Sequence, residues 1–415
     1  MVAEPRKWIR SKKKVALVLS GGGAKAAAFH IGVAYALRER GFSFLGGLNS
    51  DQKSTHPPLT IETYVGSSAG AIVGSFFASG YTLENITSSF LNPKHESESF
   101  SPKPLPRLQY KKIFKLRTEI AAEQARNLFV VKNLFQSLAE GRFPSLLQFR
   151  WLKMSGIFSA AGIEQFLREE VLPSNRFQDL KAELFVVANQ LDFSRKVVFG
   201  KAVYPSPPHD PTAMYSTQTS ISEAVAASAA LPVLFAPYPL TDESGETRYY
   251  IDGEIRETLS THVAVDSGAD LVISSYTHQP YRWTSELGSL VKHGLPAIIL
   301  QSIYILIEQK INSVYESYSS KQNAIREVRR YCMENGVSLE HSKSILELLE
   351  KELHQKENLD IIPIHPDPTD AKTFIAEHFS LNPRKLSEIV KAGYKAAIQA
   401  LSRVEFEDQK SASGF

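Results

Sequence analysis

The segment Gly66-Ser67-Ser68-Ala69-Gly70 places a serine between two glycines directly after the strand-like run 61–65. A strand that breaks at Gly66 and restarts as a helix at Ala69 would hold Ser68 at the tip of a sharp turn. The positive N-terminal end of the new helix would then point at the hydroxyl. A second segment, Gly21-Gly22-Gly23, also separates an apolar run from a helical one. Consecutive residues without side chains can open their N–H groups to an anion, either the oxyanion of acyl transfer or a phosphate. Neither nucleotide motif is completed: no Gly-Lys-Ser or Gly-Lys-Thr ending comes after it, and the Gly-x-Gly-x-x-Gly spacing is missing. The two segments together point to acyl transfer or ester hydrolysis, with Ser68 as nucleophile and Gly21, Gly22 and Gly23 as the oxyanion site. Taken alone, Gly-x-Ser-x-Gly fits an ordinary strand–helix loop as well. Lys25 reads as setting the glycine loop or neutralising a carboxylate or lipid phosphate, with a solvated lysine as the alternative.

The elements that must position these groups are legible around them. Residues 15–20 read as a buried strand and 24–40 as the helix after it. Residues 61–65 and 69–78 repeat the pattern, which predicts an α/β layered fold with a mostly parallel sheet. From about 85 to 160 the character turns helical, as in 121–138, and predicts an insertion that covers the site. Further strands are expected at 183–189, 196–199 (antiparallel), 233–235, 248–251 and 271–275, the last completing the sheet, with an alanine-rich helix at 220–229. Beyond Trp283 the chain reads as mainly helical, with a late strand at 361–364 and a final helix at 383–402. The apolar stretch 295–307 is too short to span a bilayer. Ile299, Ile303 and Leu306 fall on one helical side, which reads as a core helix. The alternative is a surface resting on lipid, with Trp283, Tyr304 and Tyr315 near headgroups.

Composition narrows the function classes. The chain has 415 residues, 43% hydrophobic and 22% charged, as in ordinary globular proteins. A formal charge of +3 and the absence of an arginine–aromatic pattern give no reason to expect nucleic acid. Cys332 is the only cysteine, so neither an intrachain disulfide nor a thiolate zinc cluster can form. No metal-ligand motif appears, serine chemistry needs no metal, and no cofactor is expected. The basic residues Arg6, Lys7, Arg10 and Lys12 to Lys14 precede a strand-like run rather than a signal-peptide apolar region. The expected location is cytoplasmic, with peripheral contact to anionic lipid as the alternative to a solvated terminus. The expected organisation is a basic segment at 1–12, a catalytic domain at 13–282, a mainly helical region at 283–404 packed on it, and a flexible tail at 405–415.

Four segments in order carry a family resemblance: Leu19-Ser20-Gly21-Gly22-Gly23-Ala24-Lys25, Gly66-Ser67-Ser68-Ala69-Gly70, the run from Ala226 to Pro237, and Tyr250-Ile251-Asp252-Gly253. In these the chain resembles the patatin-like phospholipase family. That resemblance implies a three-layer α/β/α fold and a Ser–Asp dyad instead of a Ser–His–Asp triad. By it Ser68 is the nucleophile, Asp252 takes up its proton, and Gly21, Gly22 and Gly23 form the oxyanion site. The implied substrates are membrane phospholipids or lysophospholipids, met at a membrane surface; nothing identifies a protein activator. The chain departs from the family pattern at Glu254, where a small residue is usual, and at Glu257, Thr258 and Leu259, which replace an asparagine and proline. Ala26 is a milder departure. Two rival readings are an α/β hydrolase with a histidine base, for which His262, His278 and His365 are candidates, and a lipid-binding scaffold without turnover.

Overall fold

Val15–Leu19 is apolar at every position, and it forms β1, a strand buried on both faces. Such uninterrupted runs belong to parallel strands covered by helices on each side. The computed structural model describes residues 9–49, 56–91, 105–117, 155–205, 210–242 and 244–404. The basic residues Arg6 and Lys7, the expected helix at 121–138 and the tail at 405–415 lie outside the described residues.

Among the described residues ten strands make one sheet. They are β1, β2 (Ser43–Phe44), β3 (Thr60–Gly66), β4 (Glu183–Gln190), β5 (Arg195–Phe199), β6 (Met214–Ser216), β7 (Tyr238–Thr241), β8 (Thr247–Asp252), β9 (Leu271–Ser275) and β10 (Asp360–Ile364). The main path runs β10-β9-β1-β3-β4-β8-β7 and is parallel from β10 to β4. Strands β5 and β8 both join β4 antiparallel. Side chains alternate across β1: Val15, Leu17 and Leu19 belong to one core, Ala16 and Val18 to the other.

The first core is closed by helices α1 (Gly23–Glu39), α2 (Ala69–Ala78), α3 (Ile221–Ser228) and α5 (Pro383–Leu401). The second is closed by the short helix Thr261–Asp266 and by Ile307, Ile311, Tyr315 and Tyr318 of α4, Gly294–Glu334. The arrangement is α/β/α in three layers. Helices α1 and α5 approach backbone to backbone. A Cβ on Gly32 would stand 2.0 Å from the Val390 carbonyl oxygen, and one on Gly393 would stand 2.2 Å from that of Phe29.

Three expectations are corrected. Residues 233–235 form a turn, not a strand: Pro232 opens it, Val233 has φ 74° and is 83% exposed, and the strand starts at Tyr238. Strand β9 does not complete the sheet, because β10 pairs with it in parallel along its whole length. The first half of α4 is not a core helix: Leu295, Ile298, Ile299, Ile303 and Leu306 are exposed, while Tyr304 is buried. The described part of the basic N-terminal stretch is also less free than a solvated terminus, since Lys12 pairs with Asp360 (2.8 Å) and Lys14 with Glu183 (2.6 Å).

Candidate active site

Strand pairing alone brings two distant parts of the chain together. One edge of β4 is occupied by β5. Its other edge is shared: β3 runs along the first half and ends with Gly66 opposite Val186, and β8 runs the opposite way along the second half and ends with Asp252 opposite Ala188. The two strands therefore finish head to head, separated by two residues of β4, about 7 Å of extended chain. The residues just after Gly66 must meet the end of β8.

The turn beyond Gly66 is strained. Ser68 has φ 51° and ψ −120°, a conformation that costs on the order of 1–3 kcal/mol for a residue with a side chain. Close packing holds it there. A Cβ on Gly70 would lie 2.2 Å from the Leu19 carbonyl oxygen, so only glycine lets the elbow sit on the end of β1. The Ser68 N–H donates to Ser228 Oγ at 2.8 Å, and the Ser228 hydroxyl donates in turn to the Val187 carbonyl at 2.5 Å. The elbow is thus tied through α3 to the middle of β4.

The Ser68 hydroxyl faces the carboxylate of Asp252. That carboxylate is 2% exposed and also accepts the Glu254 N–H at 2.9 Å. Burial raises its pKa from 3.8 to about 6, with the Glu254 N–H and the nearby Ser68 hydroxyl opposing the rise. Asn189 of β4 fixes the turn from below, its Nδ2 donating to the carbonyls of Asp252 (2.7 Å) and Gly253 (3.2 Å).

The glycine run enters from the end of β1. Gly22 (φ 123°) and Gly23 (φ 67°) take left-handed backbone and open α1 beside the start of α2. The first N–H groups of both helices have no intrahelical acceptor, and Gly22, Gly23, Ser68 and Ala69 line one cavity. Gly21 stands against the elbow, where an added Cβ would be 2.9 Å from Ser68 Cβ and 2.6 Å from Glu254 Cγ. His30 of α1 secures this corner: its Nε2 bonds to the Ser20 carbonyl (2.9 Å) and its Nδ1 to Ser275 Oγ (2.7 Å).

Lys25 is not solvated. It is 1% exposed, its Nζ reaches the Phe374 carbonyl (3.4 Å) and stands 5.7 Å from the Tyr304 ring centre. Its own N–H donates to the His378 carbonyl. Burial lowers its pKa to about 7, partly offset by Asp370. It does not line the cavity; it ties α1 to residues 370–379.

The cavity holds about 550 Å³, within the range of small-molecule sites. Its walls are largely apolar, with Ile72, Phe90, Phe114, Phe235, Leu300 and Ile307 among them, and Ser68, Asp252 and Glu254 supply polar groups. Residues 17–265 match the family model for patatin-like phospholipases. The chain belongs to the patatin-like phospholipase family. It is accordingly a lipid hydrolase in the general sense of that family.

Within this patatin-like hydrolase the three candidate histidines have other partners. His262 Nδ1 pairs with Glu257 (3.2 Å), His365 Nδ1 bonds to the Pro366 carbonyl, and His278 Nδ1 lies 3.8 Å from Glu254. His278 does line the cavity, and burial lowers its pKa to about 3, so it is uncharged at neutral pH. Of the departures from the family pattern, Glu257 pairs with Lys196 and His262. Glu254 stays at the cavity. Ser228, Asn189 and His30 were not singled out from sequence. Ser228 lies inside the segment 226–237 that carries the resemblance, but its role depends on where α3 packs.

Proposed function

We propose that the protein is a serine acyl-ester hydrolase of membrane glycerophospholipids or lysophospholipids, using Ser68 as nucleophile, Asp252 as base and the Gly21–Gly23 amides as oxyanion donors. The observation that carries this reading is a buried, proton-seeking Asp252 facing Ser68 where both line an apolar cavity. Asp252, raised to about 6, is ionised at neutral pH yet basic enough to accept the serine proton. As Ser68 Oγ bonds to the ester carbonyl carbon, its proton passes to Asp252 and the carbonyl electrons move onto oxygen. The glycine amides stabilise that oxyanion. Collapse breaks the ester C–O bond, and Asp252 returns the proton to the departing alcohol. Water then gives its proton to Asp252, attacks the acyl-serine and releases the fatty acid, and Ser68 regains its hydrogen.

A membrane-facing approach is supported by α4. Leu300, Ile303, Leu306 and Ile307 line the cavity, while Leu295 and Ile299 of the same helix stand exposed, as does Trp283 at 69% exposure. An apolar face continuous with the cavity would rest on lipid and pass an acyl chain inward without crossing water. No helix among the described residues is long and apolar enough to cross a membrane. We place the protein at the cytoplasmic periphery of a membrane.

The test is product analysis by mass spectrometry after incubation with mixed membrane lipids, beside Ser68→Ala. Fatty acid and lysolipid or glycerophosphodiester should appear only with the wild type. Equal release by Ser68→Ala would refute the assigned nucleophile.

A further inference from the structure

The reaction centre contains a second carboxyl that the Ser68–Asp252 mechanism does not use. Glu254 comes two residues after Asp252, and its methylene stem lies over Gly21, close enough that a Cβ on that glycine would clash at 2.6 Å. Its side chain is 11% exposed, and both carboxyl oxygens are shielded from solvent. The Gly21 N–H and the hydroxyls of Ser67 and Thr258 face those oxygens, but neither oxygen completes a hydrogen bond of normal geometry. Among the described residues no cation compensates the carboxyl. Asp252 faces it from the end of β8, and His278, 3.8 Å away after β9, is held neutral by burial and by the nearby His378, Lys25 and His30. Lys25 itself is turned to the Phe374 carbonyl.

We propose that Glu254 is an ionisable gate on the oxyanion site, permissive when neutral and inhibitory when charged. The neutral carboxyl leaves the glycine amides to the substrate. The carboxylate takes the Gly21 N–H for itself and sets a negative charge where the tetrahedral oxyanion must form. Burial and the charge of Asp252 both favour the neutral form and push the Glu254 pKa up to about 8. The working range then lies between ionisation of Asp252 on the acid side and ionisation of Glu254 on the alkaline side.

This inference rests on the serine-hydrolase reading above, and the test separates the two. The pH dependence of kcat/KM for a soluble p-nitrophenyl ester is measured at the isosbestic wavelength, with release by Ser68→Ala subtracted. The wild type should show an acid limb and an alkaline limb, the latter falling about tenfold per pH unit above its midpoint. Glu254→Gln and Glu254→Ala should lose the alkaline limb and keep the acid limb. An unchanged alkaline limb in either folded variant refutes the gate. So does a tenfold or greater loss at neutral pH in folded Glu254→Ala, since Glu254 would then be assisting the reaction. If neither variant folds, the wild-type profile still decides: a flat alkaline side refutes the gate alone. Absence of Ser68-dependent turnover at every pH refutes the hydrolase reading and the gate with it.

Discussion

Asp252→Asn separates the chemical role of this residue from its structural one, because the two predict opposite changes. Asparagine keeps the shape, and its Oδ1 can still accept the Glu254 N–H now bound at 2.9 Å. It cannot accept the serine proton, so turnover should fall by about 10²–10⁴-fold, the usual contribution of a positioned base. Stability should move the other way. Burial lifts the Asp252 pKa from 3.8 to about 6, and at about 1.4 kcal/mol per pH unit this is about 3 kcal/mol disfavouring the charged form. Because the folded pKa is the raised one, the native state holds more protons across that window. The associated stability is complete below about pH 4 and lost as pH rises through about 6. Asparagine loses nothing over the same range. The variant should therefore match the wild type near pH 4 and be more stable by about 3 kcal/mol at pH 7. Denaturant unfolding at several pH values, beside the esterase rate, measures both. A pH-independent difference, or near-normal turnover, would show that Asp252 is not the buried base of the reaction.

Four further outcomes can be checked together. Ser68→Ala should abolish labelling by an organophosphonate ester probe while the unfolding midpoint stays close to wild type. Ser228→Ala removes the acceptor of the Ser68 N–H and the donor to Val187; it should cost about 1–3 kcal/mol and lower kcat more than it raises KM. Gly70→Ala forces a carbon against the Leu19 carbonyl and should destabilise by at least about 1–3 kcal/mol, seen as a lowered Tm. Leu295→Glu with Ile299→Glu, on the exposed face of α4, should reduce co-sedimentation with anionic vesicles and spare hydrolysis of a soluble ester; unchanged recovery would argue against that face as the lipid contact.

How far the site is legible in the sequence depends on how local each feature is. The elbow and the glycine run were legible because their demands are met within a few residues: a strand end, small neighbours, a helix start. The first two strand–helix units appear within a residue or two of their expected bounds for the same reason. Asp252 was legible only through the family resemblance, since an Asp-Gly step by itself marks any turn. Its encounter with Ser68 depends on β3 and β8 sharing one edge of β4, which no local pattern encodes. Ser228 and His30 act across packed elements and left no periodic signal. The helical spacing of Ile299, Ile303 and Leu306 showed an apolar side on α4 but could not say whether protein or solvent faced it. Residues 233–235 carried strand-type side chains, but the turn at Pro232 and the left-handed Val233 prevailed over that propensity.

Two acidic residues three positions apart, both departures from the family pattern, meet opposite electrostatic fates, and the contrast is itself testable. Glu257 pairs with Lys196, which is fully buried and also lies 3.7 Å from Asp210, and with His262. Burial pushes the Glu257 pKa up, but His262 and Lys196 outweigh it and bring it down to about 2. Its stabilising contribution is therefore complete above about pH 4.5 and lost as pH falls through about 2. Glu254 meets no cation among the described residues and is raised instead, so its contribution is complete at low pH and lost as pH rises through about 8. Glu257→Gln leaves a buried ammonium short of a partner and should cost about 3–5 kcal/mol at neutral pH, less to the extent that Asp210 compensates. Glu254→Gln should stabilise the protein progressively with pH instead. If each change in unfolding free energy is plotted against pH, the two curves should have opposite signs at neutrality, with the Glu257→Gln deficit shrinking toward acid pH. Curves of the same sign would mean that burial alone governs both carboxyls. In that case the Lys196 pair would not be what allows the Glu257 charge to persist so close to a site where Glu254 is held neutral.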